Sequence, residues 1–61
     1  MKLDARVRYT RRVIQEALLT LLEQKTLNKI TVTELCALAQ INRATFYAHY
    51  ADCYAVLNAL E

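Results

Sequence analysis

A chain of 61 residues, 56% of them apolar, fits one small domain and supplies one core. With no Gly, no Pro and a net charge of only +2, a disordered or linker-rich polypeptide is excluded, and so is a membrane span, for want of about 18 apolar residues in a row. A domain of about 60 residues buries only roughly 60% of the surface its unfolded chain exposes, so each cap and each core contact counts.

The charge is unevenly placed. Residues 1–12 hold Lys2, Arg6, Arg8, Arg11 and Arg12 against Asp4, a net +4. Residues 13–61 hold Lys25, Lys29 and Arg43 against Glu16, Glu23, Glu34, Asp52 and Glu61, a net −2. A basic arm over residues 1–8 on a mildly acidic body suits a polyanionic partner, and it equally suits a solvated, frayed end. The stretch MKLDARVRYTRR lacks the apolar run of a secretory signal. Two cysteines, Cys36 and Cys53, make no disulfide framework, and a reducing cytoplasm is the expected compartment. Together with His49 they offer three metal ligands, one fewer than a closed zinc site takes and without its tight cysteine pair, so no metal is expected.

The first predicted helix runs from about Tyr9 to Gln24. Ile14, Ala17, Leu18 and Leu21 recur at the i, i+3, i+4, i+7 spacing of one buried face, with Val13 and Leu22 widening it and Leu19 off it. KTLNKI is a connector, polar apart from Leu27 and Ile30. Thr31 followed three residues later by Glu34 is a capping box and opens a second helix, about 32–39, with Val32, Leu35, Cys36 and Ala39 on one face. Cys36 is most simply a small core residue there. Gln40, Ile41 and Asn42 form a tight break, and Asn42 is a good N-cap for a third helix over about 43–50. Asp52 caps a fourth, about 53–61, with Val56, Leu57 and Leu60 apolar. Its pattern is still running at Glu61, which predicts that it continues into a longer protein. Two short helices across a tight turn form the helix-turn-helix unit, whose second helix can enter a DNA major groove.

The third helix carries the informative pattern, INRATFYAHY over residues 41–50. At about 100° per residue, Phe46 and Tyr50 lie within about 40° of each other and face inward. Ala44 and Ala48 fall on the opposite side, with Arg43 and Tyr47 along one edge and Thr45 and His49 along the other. An ordinary surface helix carries Lys, Glu or Gln on its outward ridge. Two methyl groups instead let the backbone come close to something, as a major groove about 12 Å wide requires. Ala44 and Thr45 can meet base edges or a thymine methyl, Arg43 can reach guanine or phosphate, and Tyr47 and His49 can donate to phosphates. The amino end of the helix also favours anions. A His49–Cys53 nucleophile pair is separated by the break at Ala51–Asp52 and has no third orienting group. No phosphate loop, paired carboxylates or metal cluster stands out, so no enzyme and no cofactor are expected.

These residues resemble the amino-terminal DNA-binding domain of the TetR/AcrR family of bacterial transcriptional regulators. The likeness covers about residues 8–60 and is sharpest over TVTELCALAQINRATFYAHYADCYAVL: a Thr-capped helix, a short turn, the run Thr45, Phe46, Tyr47, Ala48, His49, Tyr50, and a capped fourth helix. The resemblance implies an all-α fold, a homeodomain-like three-helix unit with the start of a fourth helix. It implies that Thr31 and Thr33 contact phosphates, that Arg43, Ala44 and Thr45 face bases or the adjacent backbone, and that Tyr47 and His49 hold phosphates. It further implies a homodimer on a near-palindromic operator, usually as a repressor, with dimerisation and inducer binding in a larger helical regulatory domain that this sequence does not include. Four positions depart from the family's habit: Gln40 and Ala44 stand where Gly is common, Cys53 where a phosphate-binding Lys is frequent, and Ala51 where Pro is usual. A left-handed Gln40 would cost roughly 1–2 kcal/mol relative to Gly. The expected function is therefore sequence-specific binding of double-stranded DNA. The alternative is a helical protein-interaction module whose Ala44/Ala48 ridge docks another helix.

Overall fold

The computed structural model describes the backbone of residues 2–60 and the side chains of residues 5–60. Within them the chain is all helical: α1 (Lys2–Leu22), a 3-10 turn (Leu27–Lys29), α2 (Val32–Ala39), α3 (Arg43–His49) and α4 (Cys53–Leu60). Met1 and Glu61, assigned from sequence to the basic arm and to the fourth helix, lie outside the described residues.

The first helix departs from its sequence-based bounds at both ends. It begins at Lys2 rather than near Tyr9, so residues 2–8 are its first turns and not a loose arm. The buried stripe that marks a helix from sequence starts only near Val13, but adding a turn to an existing helix is far easier than nucleating one. KLDARVR supplies Lys, Leu, Ala and Arg, which favour that extension. At the other end α1 stops at Leu22, where tighter bonds take over: Glu23 N–H to Thr20 O at 3.2 Å and Gln24 N–H to Leu21 O at 2.9 Å.

The connector has structure of its own. Lys29 N–H donates to Thr26 O at 3.0 Å and Ile30 N–H to Leu27 O at 3.1 Å, the short-range bonding of a 3-10 turn. That turn lets Ile30 drop into the core, 7% exposed, while Leu27 packs against it from the rim. The connector is also fastened to α2, because the Lys25 ammonium donates to the Glu34 carboxylate.

α2 has the bounds its capping residues predict. The Thr31 hydroxyl accepts from Glu34 N–H at 3.1 Å, and the Glu34 carboxylate accepts in return from Thr31 N–H at 3.3 Å. At its far end Gln40 is left-handed, with φ 60° and ψ 45°. Ile41 N–H reaches back to Cys36 O at 3.0 Å and Gln40 N–H to Ala37 O at 3.3 Å, the paired bonds of a Schellman ending. Gln40 thus does what a Gly would do at that position and carries the strain of its Cβ. The backbone turns sharply within Gln40, Ile41 and Asn42, and α3 begins.

Asn42 caps α3 through its Oδ1, which accepts from Thr45 N–H at 2.7 Å, and Asp52 caps α4 through an oxygen that accepts from Ala55 N–H at 2.9 Å. α3 ends at His49, within its expected bounds of about 43 to 49 or 50, and the backbone of Tyr50 is already extended. α1 packs against α2 and α4, and α2 packs against α3. The core joins all four helices: Ile14 and Leu18 from α1, Leu35 from α2, Phe46 from α3 and Val56 from α4 have no measurable exposure. Among the described residues no helix is long and apolar enough to cross a membrane.

Candidate nucleic-acid interface

α3 has two sharply different faces. Phe46 is fully buried and Tyr50 is 9% exposed, while Ala44 and Ala48 are both exposed on the other side. The seven residues Arg43–His49 give the helix fewer than two full turns of surface, so this division decides what it can present. Burying Phe46 fixes the rotation of α3 about its axis, because turning it by a single residue's step of about 100° would drag that ring into water.

The edges of the exposed face are held by the buried one. The Tyr47 ring meets Phe46 edge-on, with centroids 5.4 Å apart and planes at 86°, an arrangement that aromatic quadrupoles favour. Tyr47 is nevertheless 51% exposed, so its ring is braced while much of the residue faces outward. His49 is half-buried at the carboxyl end of α3, its ring 6.5 Å from that of Tyr50. Arg43 is exposed at the first position, and Thr45 is half-buried with its backbone N–H taken by the Asn42 cap. The structure therefore brings Arg43, Ala44, Thr45, Tyr47 and His49 together on one short helix, with its apolar side turned to the core.

Thr31 and Thr33 sit apart from this group, exposed at the amino end of α2, the end remote from the turn at Gln40. The Thr31 oxygen serves as the α2 cap, yet its O–H proton remains able to donate. An anion approaching that helix end would meet the Glu34 carboxylate. The ion pair with Lys25 offsets that charge, and it holds the carboxyl below its ordinary range; the Thr31 N–H bond acts in the same direction.

Cys36 and Cys53 are both in the core, 4% and 5% exposed, and burial pushes both thiols up. The Cys36 thiol points to the Asn42 carbonyl oxygen at 3.9 Å, a weak tie between α2 and the cap of α3. Cys53 opens α4 from inside the fold, so it offers nothing to a surface ligand, and the first exposed side chain of α4 is its neighbour Tyr54.

Two contributors have no local signature. Gln15 Nε2 donates to the Tyr50 hydroxyl at 3.1 Å, tying α1 to the end of α3. Lys25 and Glu34 pair across the connector. Both links depend on tertiary placement, so helical periodicity could not reveal them. No protein-family model, no curated protein and no solved structure matches this chain.

Proposed function

We propose that the chain binds double-stranded DNA without covalent chemistry, with α2 and α3 acting as a helix-turn-helix and α3 entering the major groove. The observation that carries the reading is the pairing of a fully buried Phe46 with exposed Ala44 and Ala48 on a helix of seven residues. A ridge of methyl groups lets the α3 backbone approach base edges closely, and the buried ring behind it keeps that ridge pointed outward. Arg43, Ala44 and Thr45 face the bases or nearby phosphates, while Tyr47, His49, Thr31 and Thr33 position the backbone. The Lys25–Glu34 pair supports the threonine contacts by offsetting a carboxylate that would repel phosphate.

Together with the resemblance to TetR/AcrR regulators, this reading makes the chain the reading head of a cytoplasmic transcriptional regulator, a repressor. It works as a homodimer on a near-palindromic operator, with an inducer bound in a regulatory domain outside this sequence. An isolated head binds weakly, because a dimer joins two half-sites and gains from their linkage.

The test is binding to a mixed-sequence duplex pool over a range of salt. Charge-mediated duplex binding weakens steeply with salt, by about 0.9 in log–log slope for each phosphate neutralised. A helix-docking protein module shows no such dependence, and that result would overturn the proposal. Selecting bound duplexes from a random pool then gives the operator.

A further inference from the structure

The helical form of residues 2–12 changes what their charge can do. Arg8, Arg11, Arg12 and Gln15 follow the i, i+3, i+4, i+7 spacing and line one shallow depression on the flank of α1. The three arginines are exposed, and Gln15 is half-buried. Arg12 makes an exposed ion pair with Glu16 at 3.5 Å, and Arg8 and Arg11 lie exposed beside it in the same row. At its inner end the row is tied to the residue that follows α3, because the Gln15 amide donates to the Tyr50 hydroxyl. A loose basic arm would lose conformational entropy on meeting a partner, whereas an arginine row on a continuous helix is already in place.

We propose that Arg8 and Arg11 form a second phosphate-binding surface, a rigid rail on α1 that grips the duplex backbone beyond the stretch covered by α3. The proposal rests on the duplex-binding reading and adds to it a contact from a different helix. Guanidinium groups suit this role, because their planar donor fork matches phosphate oxygens. The Gln15–Tyr50 bond sets the position of the rail relative to α3, so phosphate contacts on α1 and groove contacts on α3 have a fixed spacing. Arg8 and Arg11 contribute affinity for any sequence and no base preference.

The experiment compares the 61-residue chain with R8Q/R11Q and R8K/R11K on a mixed-sequence duplex pool, measuring affinity against salt. Gln and Lys are good helix formers, so helicity by circular dichroism should be unchanged in both variants. R8Q/R11Q is expected to have a slope shallower by about 1.8, so that the advantage of the unmodified chain shrinks about 12-fold between about 50 and 200 mM salt. R8K/R11K keeps the charge and should restore most of the slope. If the unmodified chain binds with a steep slope and R8Q/R11Q has the same slope, the rail is overturned and the α3 reading stands. An R8K/R11K slope as shallow as that of R8Q/R11Q also overturns it, because charge is then not the agent. If the unmodified chain shows no salt-dependent binding at all, the duplex reading falls and the rail with it.

Discussion

Gln15 and Tyr50 are 35 positions apart in sequence and meet through one hydrogen bond of 3.1 Å, the side-chain amide of α1 donating to the phenol at the end of α3. Phe46 sets how α3 is rotated, with its ring 6.1 Å from that of Tyr50. The Gln15 bond sets how the end of α3 lies along α1. Replacing Tyr50 by Phe removes the hydroxyl and keeps the ring. The expected loss is about 1 kcal/mol, and for a domain of this size that lowers the thermal midpoint by about 4–8 °C. An unchanged midpoint would mean that the bond contributes nothing to the fold.

Gln40 offers the opposite test. Its φ of 60° is the one positive value among the described non-glycine residues, and it lies at the ending of α2 where Gly is ordinarily favoured. Gln40→Gly removes the Cβ clash and is expected to stabilise the fold by about 1 kcal/mol, read as a higher denaturant midpoint with an unchanged slope. A lower midpoint would show that the Gln side chain supports the turn in some other way.

The secondary structure was legible wherever a cap spoke for it. Thr31 with Glu34, Asn42 and Asp52 each satisfy orphan N–H groups with their own side chains, a local matter that sequence spacing reveals. The buried faces of α2 and α3 were legible from period alone, and so was Val56 of α4, whereas the buried Cys53 that opens α4 was not read as core. The early turns of α1 were not legible, since exposed residues such as Arg6 and Arg8 make no buried stripe and these turns extend a helix nucleated further along. Of the candidate site, the inward Phe46 and Tyr50 and the outward Ala44 and Ala48 followed from the spacing. The Lys25–Glu34 and Gln15–Tyr50 links were illegible, because each joins elements whose approach is decided by the whole core.

Acid should loosen the junction between the connector and α2. Glu34 titrates below its ordinary range, first through the Lys25 hydrogen bond and then through the Thr31 N–H. A carboxyl depressed in the folded state stabilises the fold above its unfolded pKa, and that contribution disappears as pH falls through the folded value. The Glu34→Gln variant should therefore lose less stability than the unmodified chain over that acid window, measured as denaturant midpoint against pH. Parallel profiles for the two proteins would show that Glu34 does not contribute to the acid dependence.

Tyr47→Phe should weaken binding to every duplex by a similar factor, because a phosphate contact carries no base information. Equal affinity in a mixed-pool titration would remove Tyr47 from the interface. The Tyr47 ring that meets Phe46 edge-on is kept by the substitution, so loss of binding with an unchanged thermal midpoint would isolate the hydroxyl.

Arg43→Ala and Thr45→Ala should instead change which duplexes are preferred. A bidentate arginine–guanine contact is worth about 1–3 kcal/mol of discrimination, so selection from a random pool should relax at the position that Arg43 reads. If both variants select the same site as the unmodified chain, α3 is not the reader.

The most direct measurement is a map of backbone amide shifts in the isotope-labelled chain as a mixed-sequence duplex is added. A groove-bound α3 predicts the largest changes over Arg43–His49, with further changes at Thr31 and Thr33 and little at buried Leu18 or Val56. Changes confined to residues outside α3, such as exposed Leu19 and Leu38, with α3 unmoved, would contradict the account.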